Sequence, residues 1–440
     1  MAVFLYLRGS KEKILNFGDY WRFMIKFKYI VVLLFLPLLM SCKSRFIALE
    51  RNNYPTSDVA LMKYLDEHNI AITDSNRVDV LNGGVVKFEH LLNDISKAKH
   101  HVHLEYFNFR NDSINAVVID ALAKAAARGV EVRAMFDAFG NMSNNRPLKK
   151  EHLEEIRKKG IEIVKFDPIT FPWINHAYHR DHRKIVVIDG EIGYTGGINV
   201  ADYYITGLEG IGKWRDIHSR VEGAAVAELQ NIFLAMWNRE TGQNVCGSKY
   251  YPTAKAADDA RIAVVDRWPK RSAEYMRRVY ANAIYAAKDS VQIINPYFIP
   301  TYIVRRAMRD ALKNNVRLEI MISSKGDIPF TPDVAKYTAY KLMKKGAVVY
   351  LYDGGFNHAK VMGVDGRFCT IGSANLNSRS LCFDYECNLF VFYKDDTEEL
   401  LTYYRADKKE SFLMTREYWK SLPLWNRFCG WLGYVLTPLM

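Results

Sequence analysis

The sequence predicts an α/β protein built from two similar units that form a pseudo-dimer, with mixed sheets flanked by helices. Two observations support this prediction. Strand-like and helix-like segments alternate along most of the 440-residue chain, which is typical of a largely parallel or mixed sheet covered by helices. The pattern also occurs twice, because residues 98–140 and 287–326 each run strand, helix, strand and begin AKHHVHLEYFNF and AKDSVQIINPYF.

Within the repeats, residue spacing identifies the elements. Val102, Leu104 and Tyr106 alternate as in a strand, and the alanine-rich segment that follows is helical in pattern until Gly129. A Lys-Lys-Gly sequence before an apolar strand recurs at Gly160 and Gly346. The predicted organisation is a lead-in over 43–84, repeats over 85–240 and 261–408, a polar linker over 241–260, and a tail over 409–440.

Composition limits the possible classes of function. Hydrophobic residues make up 49% and charged residues 25%, which excludes a disordered chain, a collagen or a coiled coil. Lys and Arg number 61 against 49 Asp and Glu, a net charge of +12. Such a charge favours an anionic partner, whether a phosphate, a nucleic acid or an acidic membrane surface. The cysteines form no C-x-x-C pair, and Cys369 and Cys387 read as small buried residues.

The N-terminal segment resembles a membrane-targeting signal. Residues 29–40 read YIVVLLFLPLLM, which is short for a membrane span but typical of a signal peptide, and Lys26 and Lys28 precede it. The sequence LMSC that ends at Cys42 resembles a bacterial lipobox, in which the cysteine is lipidated. The alternative is an uncleaved signal anchor, and translation could start at Met1 or Met24. Residues 1–42 are therefore a signal peptide or anchor, and either one holds the chain at the bacterial cell membrane.

The chemistry-bearing motif occurs late in each repeat. Residues 182–199 and 358–375 both follow the pattern H-x-K-x4-D-x6-G-[GS]-x-N. The histidine and lysine, two residues apart on a strand, point to the same face. The Asp-Gly pair is a hairpin-turn dipeptide, so the strand folds back and returns its glycine-rich end toward its own histidine. The residues selected by this motif are His182, Lys184, Asp189, Gly197 and Asn199 in the first copy, and His358, Lys360, Asp365, Ser373 and Asn375 in the second.

Two such sets can carry out displacement at phosphorus. Imidazole is neutral or cationic near neutral pH, so one histidine can attack phosphorus while the other protonates the leaving oxygen. Lysine and asparagine donate to phosphoryl oxygens, and backbone N–H groups at Gly197 and Ser373 can approach them closely. This scheme, through a phosphohistidine, needs no metal or other cofactor. The spacing His176, His179, His182 does not predict a metal site, because these residues would not share one face of a strand.

The duplicated motif resembles the HKD signature of the phospholipase D superfamily, over roughly residues 85–440. The resemblance implies two α/β units side by side, an active site between them, and a catalytic motif that comprises His182, Lys184, Asp189, His358, Lys360 and Asp365. It also implies that an acidic residue beyond each motif orients the histidine, and Asp216 and Glu386 fall in the matching places. Asp189 and Asp365 look structural and are expected to hold the hairpins.

Several segments resemble bacterial cardiolipin synthases: HRDHRKIVVIDG, GKWRDIHSRVEG, INPYFIP, GSANLNSRS and the C-terminal LPLWNRFCGWLGYVLTPLM. This resemblance implies phosphatidyl transfer between two phosphatidylglycerol molecules, with glycerol released, His182 as nucleophile and His358 as general acid. The implied partners are an anionic phospholipid and a membrane, with no nucleic acid and no obligate protein. Alternatives are hydrolysis of phospholipid head groups, a phosphodiesterase acting on nucleic acid, and a non-catalytic membrane lipoprotein.

The C-terminal tail is rich in aromatic residues. It contains Trp419, Trp425 and Trp431, and Leu424, Phe428, Trp431, Leu432 and Val435 recur at helical spacing. Such residues favour a membrane interface. The alternative is an amphipathic helix packed on the protein's own core.

Overall fold

The computed structural model describes residues 48–50, 53–170 and 178–436. In the first half, the helices are α1 (Ser57–Glu67), α2 (Gly84–Lys97), α3 (Ser113–Ala127), α4 (Ala138–Met142), α5 (Lys150–Lys158), α6 (Tyr203–Thr206) and α7 (Ala225–Thr241). The strands of this half are β1 (Ile72–Asn82), β2 (His101–Tyr106), β3 (Glu131–Asp137), β4 (Ile161–Phe166), β5 (Lys184–Ile188), β6 (Ile192–Gly196), β7 (Trp214–Arg215) and β8 (Ile217–Glu222).

The second half repeats this order. Its helices are α8 (Tyr275–Ala286), α9 (Tyr302–Lys313), α10 (Thr331–Met343), α11 (Ser378–Cys382), α12 (Lys394–Lys409), α13 (Arg416–Ser421) and α14 (Leu424–Val435). Its strands are β9 (Ala260–Arg267), β10 (Ser290–Ile294), β11 (Arg317–Ser323), β12 (Val348–Tyr352), β13 (Phe356–Asn357), β14 (Val361–Val364), β15 (Phe368–Gly372), β16 (Glu386–Phe392) and β17 (Ser411–Leu413).

Fifteen of these strands form one sheet, in the order β17-β12-β11-β10-β14-β15-β16-β9-β1-β8-β6-β5-β2-β3-β4. Strands β2, β3 and β4 are parallel to one another, as are β10, β11 and β12, and the other neighbours in the sheet are antiparallel. Each half therefore contributes a mixed sheet of the same topology. The predicted duplicated α/β fold is confirmed.

Strand β1 lies at the centre of this sheet, although the sequence placed residues 43–84 in a lead-in. It pairs with β8 of its own half from Arg77 to Asn82 and with β9 of the other half through Ile72, Thr73 and Asn76. Its sequence, ITDSNRVDVLN, has an apolar alternation only at its end, so the polar residues concealed a central strand. The first repeat thus begins with β1, as the second begins with β9.

The core lies on both faces of the sheet. Along β5, Ile185 and Val187 pack in one hydrophobic cluster while Val186 and Ile188 pack in another, as the two-residue period of a strand requires. The cluster that contains Ile185 also takes residues from the second half. Helix α7 of the first half packs on β9, and α12 of the second half packs on β1. The two halves are thereby joined by packing as well as by strand pairing.

Part of the predicted tail belongs to the body of the fold. Strand β17 pairs with β12, and Trp419 is buried in the core of the second half, where its ring stacks on that of Tyr340 at 4.9 Å. Trp419 is therefore a core residue, contrary to its inclusion among the membrane-facing aromatics. The predicted linker is also anchored, because Tyr250 is buried and packs edge-on against His101.

Helix α14 packs on the protein with one side and exposes the other side. Its small residues Gly430 and Gly433 face α10, so closely that a Cβ atom at either position would overlap Asp333 or Val334. Its large apolar side chains point away and are exposed: Leu424, Trp425, Phe428, Trp431, Leu432 and Val435. Within the described residues, no helix is both long and apolar enough to cross a membrane.

Candidate active site

A short ladder between the halves places His358. Strand β7 of the first half pairs in parallel with β13 of the second, and the backbone N–H of His358 donates to the carbonyl of Arg215 at 2.6 Å. Asp216 follows Arg215, so its carboxylate reaches the imidazole of His358. Nδ1 of His358 lies 2.7 Å from Oδ2 of Asp216.

The same arrangement occurs on the other side of the site. Asp181 pairs in parallel with Tyr385, and the backbone N–H of His182 donates to the carbonyl of Tyr385 at 3.1 Å. Glu386 follows Tyr385, and its Oε1 and Oε2 lie 3.0 and 3.2 Å from Nδ1 of His182. Each histidine is therefore oriented by a carboxylate from the opposite half of the chain, which engages Nδ1 and not Nε2 of the ring.

The residue beside each orienting carboxylate differs between the two motifs. The hydroxyl of Ser373 donates to Glu386 and its backbone N–H donates to the carbonyl of Cys387. Gly197, the equivalent residue, donates its N–H to the carbonyl of Ile217, and a Cβ atom there would lie 2.2 Å from Oδ1 of Asp216. Both backbone N–H groups are engaged in these contacts, and phosphate binding at Gly197 and Ser373 stays a prediction.

Both motif lysines are buried beside the histidines. Lys184 donates to the carbonyl oxygen of His182 at 2.6 Å, and Lys360 donates to that of His358. Burial lowers the pKa of Lys184 to about 7, against the opposing effect of Glu386, and lowers that of Lys360 to about 8, against Asp216. The charge of each ammonium group is therefore poorly solvated, and a bound anionic ligand would stabilise it.

The pKa values of both imidazoles are lowered, which favours their neutral form near pH 7. Burial, which Glu386 only partly opposes, lowers the pKa of His182 to about 4. Burial and the nearby Lys360 lower the pKa of His358 to about 3. Glu386 has a lowered pKa, because His182, Lys184 and Ser373 together outweigh the raising effect of burial. A neutral imidazole is the nucleophilic form.

Both histidines line one cavity of about 670 Å³, the size of a small-molecule site. Asn199 and Asn375 also line this cavity. The sequence predicted that Asn199 lies near the histidine of its own motif, but Asn199 donates to the hydroxyl of Tyr204. That hydroxyl lies 3.5 Å from Nδ1 of His358, the histidine of the opposite half. The other lining residues are Phe107, Asn108, Phe139, Ser143, Tyr203, Tyr204, Trp214, Tyr297, Ile299, Asp327, Ile328, Thr331, Asn377, Arg379, Ser380 and Asp384.

The motif aspartates lie outside this cavity. Oδ1 and Oδ2 of Asp189 accept from the backbone N–H groups of residues 99, 100 and 101, at 2.8 to 3.0 Å. Asp365 accepts from residues 288, 289 and 290, each at 2.8 Å. Both residues are at the far end of the strand from the histidine and have positive φ angles of 54° and 53°. They tie the hairpin turn to the start of the neighbouring strand.

The structure describes only part of the histidine run and does not cover the candidate lipidation site. His179 points its Nδ1 to the carbonyl of Phe383 at 2.8 Å, while His176 and the candidate lipidation residue Cys42 lie outside the described residues. Within the ranges the structure covers, no group of three His, Cys, Asp or Glu side chains is arranged to hold a metal ion.

Comparison with known proteins assigns the chain to a family. A family model described as "Cardiolipin synthase, PLD-like domain" matches residues 91–237 and 280–408. The chain is 34% identical over 393 residues to the major cardiolipin synthase ClsA of Bacillus subtilis, covering 89% of this chain and 80% of that protein. It is 32% identical over 405 residues to a cardiolipin synthase of Oceanobacillus iheyensis, covering 90% and 84%.

This chain belongs to the cardiolipin synthase family of phospholipase D-like proteins. Solved structures agree on the fold of such proteins. Phosphatidylserine synthase of Haemophilus influenzae superposes with a TM-score of 0.64 at 13% identity, covering 86% of this chain and 99% of that one. Polyphosphate kinase of Porphyromonas gingivalis superposes with a TM-score of 0.52 at 11% identity, covering 91% and 57%.

In this family member, sequence reasoning missed the aromatic wall beside His358. The ring centroids of Trp214, Phe356 and Tyr297 lie 5.5, 5.8 and 6.1 Å from that of His358. Trp214 and Tyr297 lie within the segments GKWRDIHSRVEG and INPYFIP, which had marked the resemblance. The aromatic residues of these segments could have been singled out from the sequence. That they pack against His358 follows only from the fold.

Proposed function

We propose that the chain is a phosphatidyltransferase that joins two phosphatidylglycerol molecules into cardiolipin and releases glycerol. The observation that carries this proposal is the pair of crossed histidine–carboxylate contacts, facing one cavity, in a member of the cardiolipin synthase family. A double displacement at phosphorus requires one imidazole as the nucleophile and a second as the general acid and then the general base.

In the first step, Nε2 of His182 attacks the phosphorus of phosphatidylglycerol and the P–O bond to the glycerol headgroup breaks. His358 gives a proton to the leaving oxygen, so glycerol departs as a neutral alcohol. The anionic phosphodiester favours the protonated form of a nearby imidazole, and substrate binding therefore raises the pKa of His358 from its value of about 3. Lys184 and Lys360 stabilise the charge on the phosphoryl oxygens.

In the second step, His358 accepts the proton of a headgroup hydroxyl on a second phosphatidylglycerol. That oxygen attacks the phosphohistidine, the P–N bond breaks, and neutral His182 is restored. Glu386 and Asp216 hold the two rings in one tautomer throughout, with Nδ1 carrying the proton that the carboxylate accepts. The protons and bonds balance over the cycle without another reactant.

The test incubates the purified full chain with phosphatidylglycerol vesicles and separates the products. Cardiolipin and glycerol in equal amounts are the expected result. Phosphatidic acid and glycerol without cardiolipin would move the assignment to a phospholipase. Cleavage of DNA or RNA, with neither lipid product, would contradict the lipid substrate. A His182→Ala protein prepared in the same way is the matched control for contaminating activity.

We also propose that α14 lies at the membrane interface. Its exposed face begins beside the cavity, because Asn426 donates to Asp333 at the first turn of α10 and Thr331 at the start of α10 lines the cavity. Trp425 is 65% exposed and Phe428 47%, an arrangement suited to the headgroup region of a bilayer. A phospholipid could then reach the cavity from the bilayer surface.

Brominated phosphatidylglycerol, which quenches tryptophan fluorescence at the depth of the acyl chains, tests this contact. We expect quenching to fall when Trp425 and Trp431 are both replaced by Phe. A Trp268→Phe protein, in which a buried tryptophan is changed, should be quenched like the unsubstituted chain. Unchanged quenching in the double variant would show that α14 does not meet the bilayer.

The N-terminal anchor is a separate proposal, since Cys42 lies outside the described residues. We propose that the chain is held at the cell membrane either by acylation of Cys42 or by an uncleaved signal anchor. Cells grown with labelled palmitate should label the unsubstituted protein and not a Cys42→Ala variant. Equal labelling of both proteins would exclude acylation at this cysteine.

A further inference from the structure

The cavity contains a carboxylate that the proposed mechanism does not use. Asp327, in the loop between β11 and α10, lines the cavity together with the two histidines. A site that binds a phosphate anion gains nothing from a carboxylate unless that carboxylate meets hydrogen-bond donors.

Among the described residues, one oxygen of Asp327 accepts a hydrogen bond from a side chain. The hydroxyl of Tyr297 donates to Oδ2 of Asp327 at 2.6 Å. Burial raises the pKa of Tyr297 well above its ordinary value, so this hydroxyl keeps its proton and acts as the donor. Oδ1 of Asp327 is buried and, among the described residues, has no hydrogen-bond partner. The other carboxylate of the cavity, Asp384, is already paired with Arg379 at 2.9 Å.

Asp327 belongs to the side of the cavity near His358. The ring of Tyr297, which holds Asp327, also packs edge-on against His358 with their centroids 6.1 Å apart. The side near His182 has instead the ring of Phe107, at 5.0 Å from His182. A hydrogen-bond acceptor is thus placed at one end of the line along which displacement at phosphorus must run.

We infer that Asp327 and Tyr297 form a subsite for the polyol headgroup of the lipid. This inference rests on the proposed function and deepens it. The headgroup of phosphatidylglycerol carries two hydroxyl donors beyond its ester oxygen, and a carboxylate is the acceptor that suits them. The same subsite serves the leaving headgroup in the first step and the accepting headgroup in the second. Water, as a competing acceptor, gains little from it.

Two lipids separate headgroup recognition from general damage. Purified full-length proteins are given phosphatidylglycerol or phosphatidylpropanol, whose headgroup lacks the two free hydroxyls, and the release of each alcohol is measured. The unsubstituted chain should prefer phosphatidylglycerol by about tenfold or more, since a site built around a hydroxyl discriminates against its absence. Asp327→Ala should reduce this preference to within about threefold of unity.

The product ratio is an independent readout. With phosphatidylglycerol alone, Asp327→Ala should lower the ratio of cardiolipin to phosphatidic acid by about tenfold, because only the alcohol acceptor loses a partner. Asp120→Asn is the matched control, since Asp120 is an exposed aspartate paired with Lys124 on α3, away from the loop that holds Asp327. It should leave both the preference and the product ratio unchanged.

A second variant covers failure of Asp327→Ala to fold. Tyr297→Phe keeps the ring against His358 and removes the hydroxyl that fixes the carboxylate, so the preference should fall by about threefold. A preference that stays unchanged in the folded variants would overturn the subsite alone. No turnover of either lipid by the unsubstituted chain would overturn the proposed function and the subsite with it. A preference for phosphatidylethanolamine that only Asp327→Ala abolishes would replace the polyol by a cationic headgroup.

Discussion

The two half-sites share a backbone geometry and differ in the groups that surround it. His182 is oriented by a glutamate that also accepts from Ser373, whereas His358 is oriented by an aspartate that occupies the space left by Gly197. The extra methylene of glutamate and the serine hydroxyl on one side are matched by a shorter carboxylate and a glycine on the other. Duplication has thus produced one scaffold with two different histidine environments.

The aromatic residues around the two histidines also differ. Trp214, Phe356 and Tyr297 pack around the ring of His358, whereas among the described residues the ring in contact with His182 is that of Phe107. The pKa values of both histidines are lowered by burial, to about 4 for His182 and about 3 for His358. The comparison supports different roles for the two rings, and substitutions can test whether those roles differ as proposed.

The largest expected effect comes from the histidines. Replacing His182 or His358 with Ala should lower kcat/KM for cardiolipin formation by about 10⁴-fold or more, because each step needs both rings. A donor lipid with p-nitrophenol as its leaving group separates them, since this alcohol leaves without a proton. We expect His358→Ala to form a phosphohistidine with this donor, detectable by mass spectrometry, and His182→Ala to form none.

The reverse result would exchange the two roles without altering the chemistry. A phosphohistidine at residue 358 in the His182→Ala protein would make His358 the nucleophile. Glu386→Gln gives a check on the same point. It should slow release of p-nitrophenol, because Glu386 orients His182, whereas Asp216→Asn should slow that release much less.

An exchange at the glycine-serine position tests whether each carboxylate is fitted to its neighbour. Gly197→Ser would place a Cβ atom 2.2 Å from Oδ1 of Asp216, so the carboxylate must move away from His358. We expect a loss of about 10²-fold in kcat, the effect of misplacing a catalytic group by about 1 Å. Ser373→Gly removes one hydrogen bond to Glu386 and should cost about tenfold.

The losses of kcat in Gly197→Ser and Ser373→Gly should differ. Equal losses would mean that the serine and glycine are interchangeable, and the two half-sites would then be equivalent in this respect. Circular dichroism and melting temperature give the control for folding. A Gly197→Ala protein separates the effect of the Cβ atom from that of the hydroxyl, and should resemble Gly197→Ser.

Much of this site could be predicted from the sequence because the motif is local. The hairpin turn at Asp189 follows from its turn residues and lies between β5 and β6 as predicted, whereas β5 begins only at Lys184 and His182 lies two residues before it. The crossing of the carboxylates could not be predicted in this way. It depends on the short parallel contacts of Arg215 with Asn357 and of Asp181 with Tyr385, which join segments distant in sequence.

The fold shows the same division between local and non-local information. The alternating pattern predicted the repeated α/β units, but β1 reads as a polar lead-in because its pairing with β8 and β9 supplies the order that its own residues do not. Likewise, Trp419 and Trp425 lie a few residues apart and are equally aromatic. Trp419, on α13, is buried against Tyr340, whereas Trp425 is exposed because α14 packs on α10 through Gly430 and Trp425 lies on its other side.

A smaller effect is expected from the lysines, which should lose their charges at different pH values. Burial lowers the pKa of Lys184 to about 7 and that of Lys360 to about 8, so rising pH removes a positive charge first from the first half-site and then from the second. Binding of a short-chain soluble phosphodiester should weaken above these values, by up to about tenfold per pH unit for each lysine that must be protonated.

Competitive inhibition by this phosphodiester, measured between pH 6 and 10, checks the order. Lys184→Met should leave a single weakening that begins near pH 8, and Lys360→Met a single one that begins near pH 7. Inhibition that does not change with pH in the unsubstituted chain would mean that the lysines do not carry the binding. Below pH 7 protonation of the histidines can only strengthen anion binding, so it does not reverse the sign.

The smallest effect on catalysis should come from a contact that the two halves share, the one that ties each hairpin turn to the neighbouring strand. Asp189 and Asp365 each accept three backbone hydrogen bonds, with donors at equivalent positions, and neither lines the cavity. An asparagine has one acceptor oxygen, and its amide group would face an N–H donor. Each Asp→Asn change should therefore destabilise its half by about 1–3 kcal/mol and lower the melting temperature by a few degrees.

The two substitutions should have equal effects, because the contacts they remove are the same. The kcat of the folded protein should stay within about twofold of the unsubstituted value, since residues 189 and 365 hold a hairpin at the end of the strand away from the histidine. Asp120→Asn, at an exposed pair with Lys124, is the control and should change the melting temperature little. A large loss of kcat with an unchanged melting temperature would instead place these aspartates in the reaction, and unequal losses would show that even this shared feature has diverged between the halves.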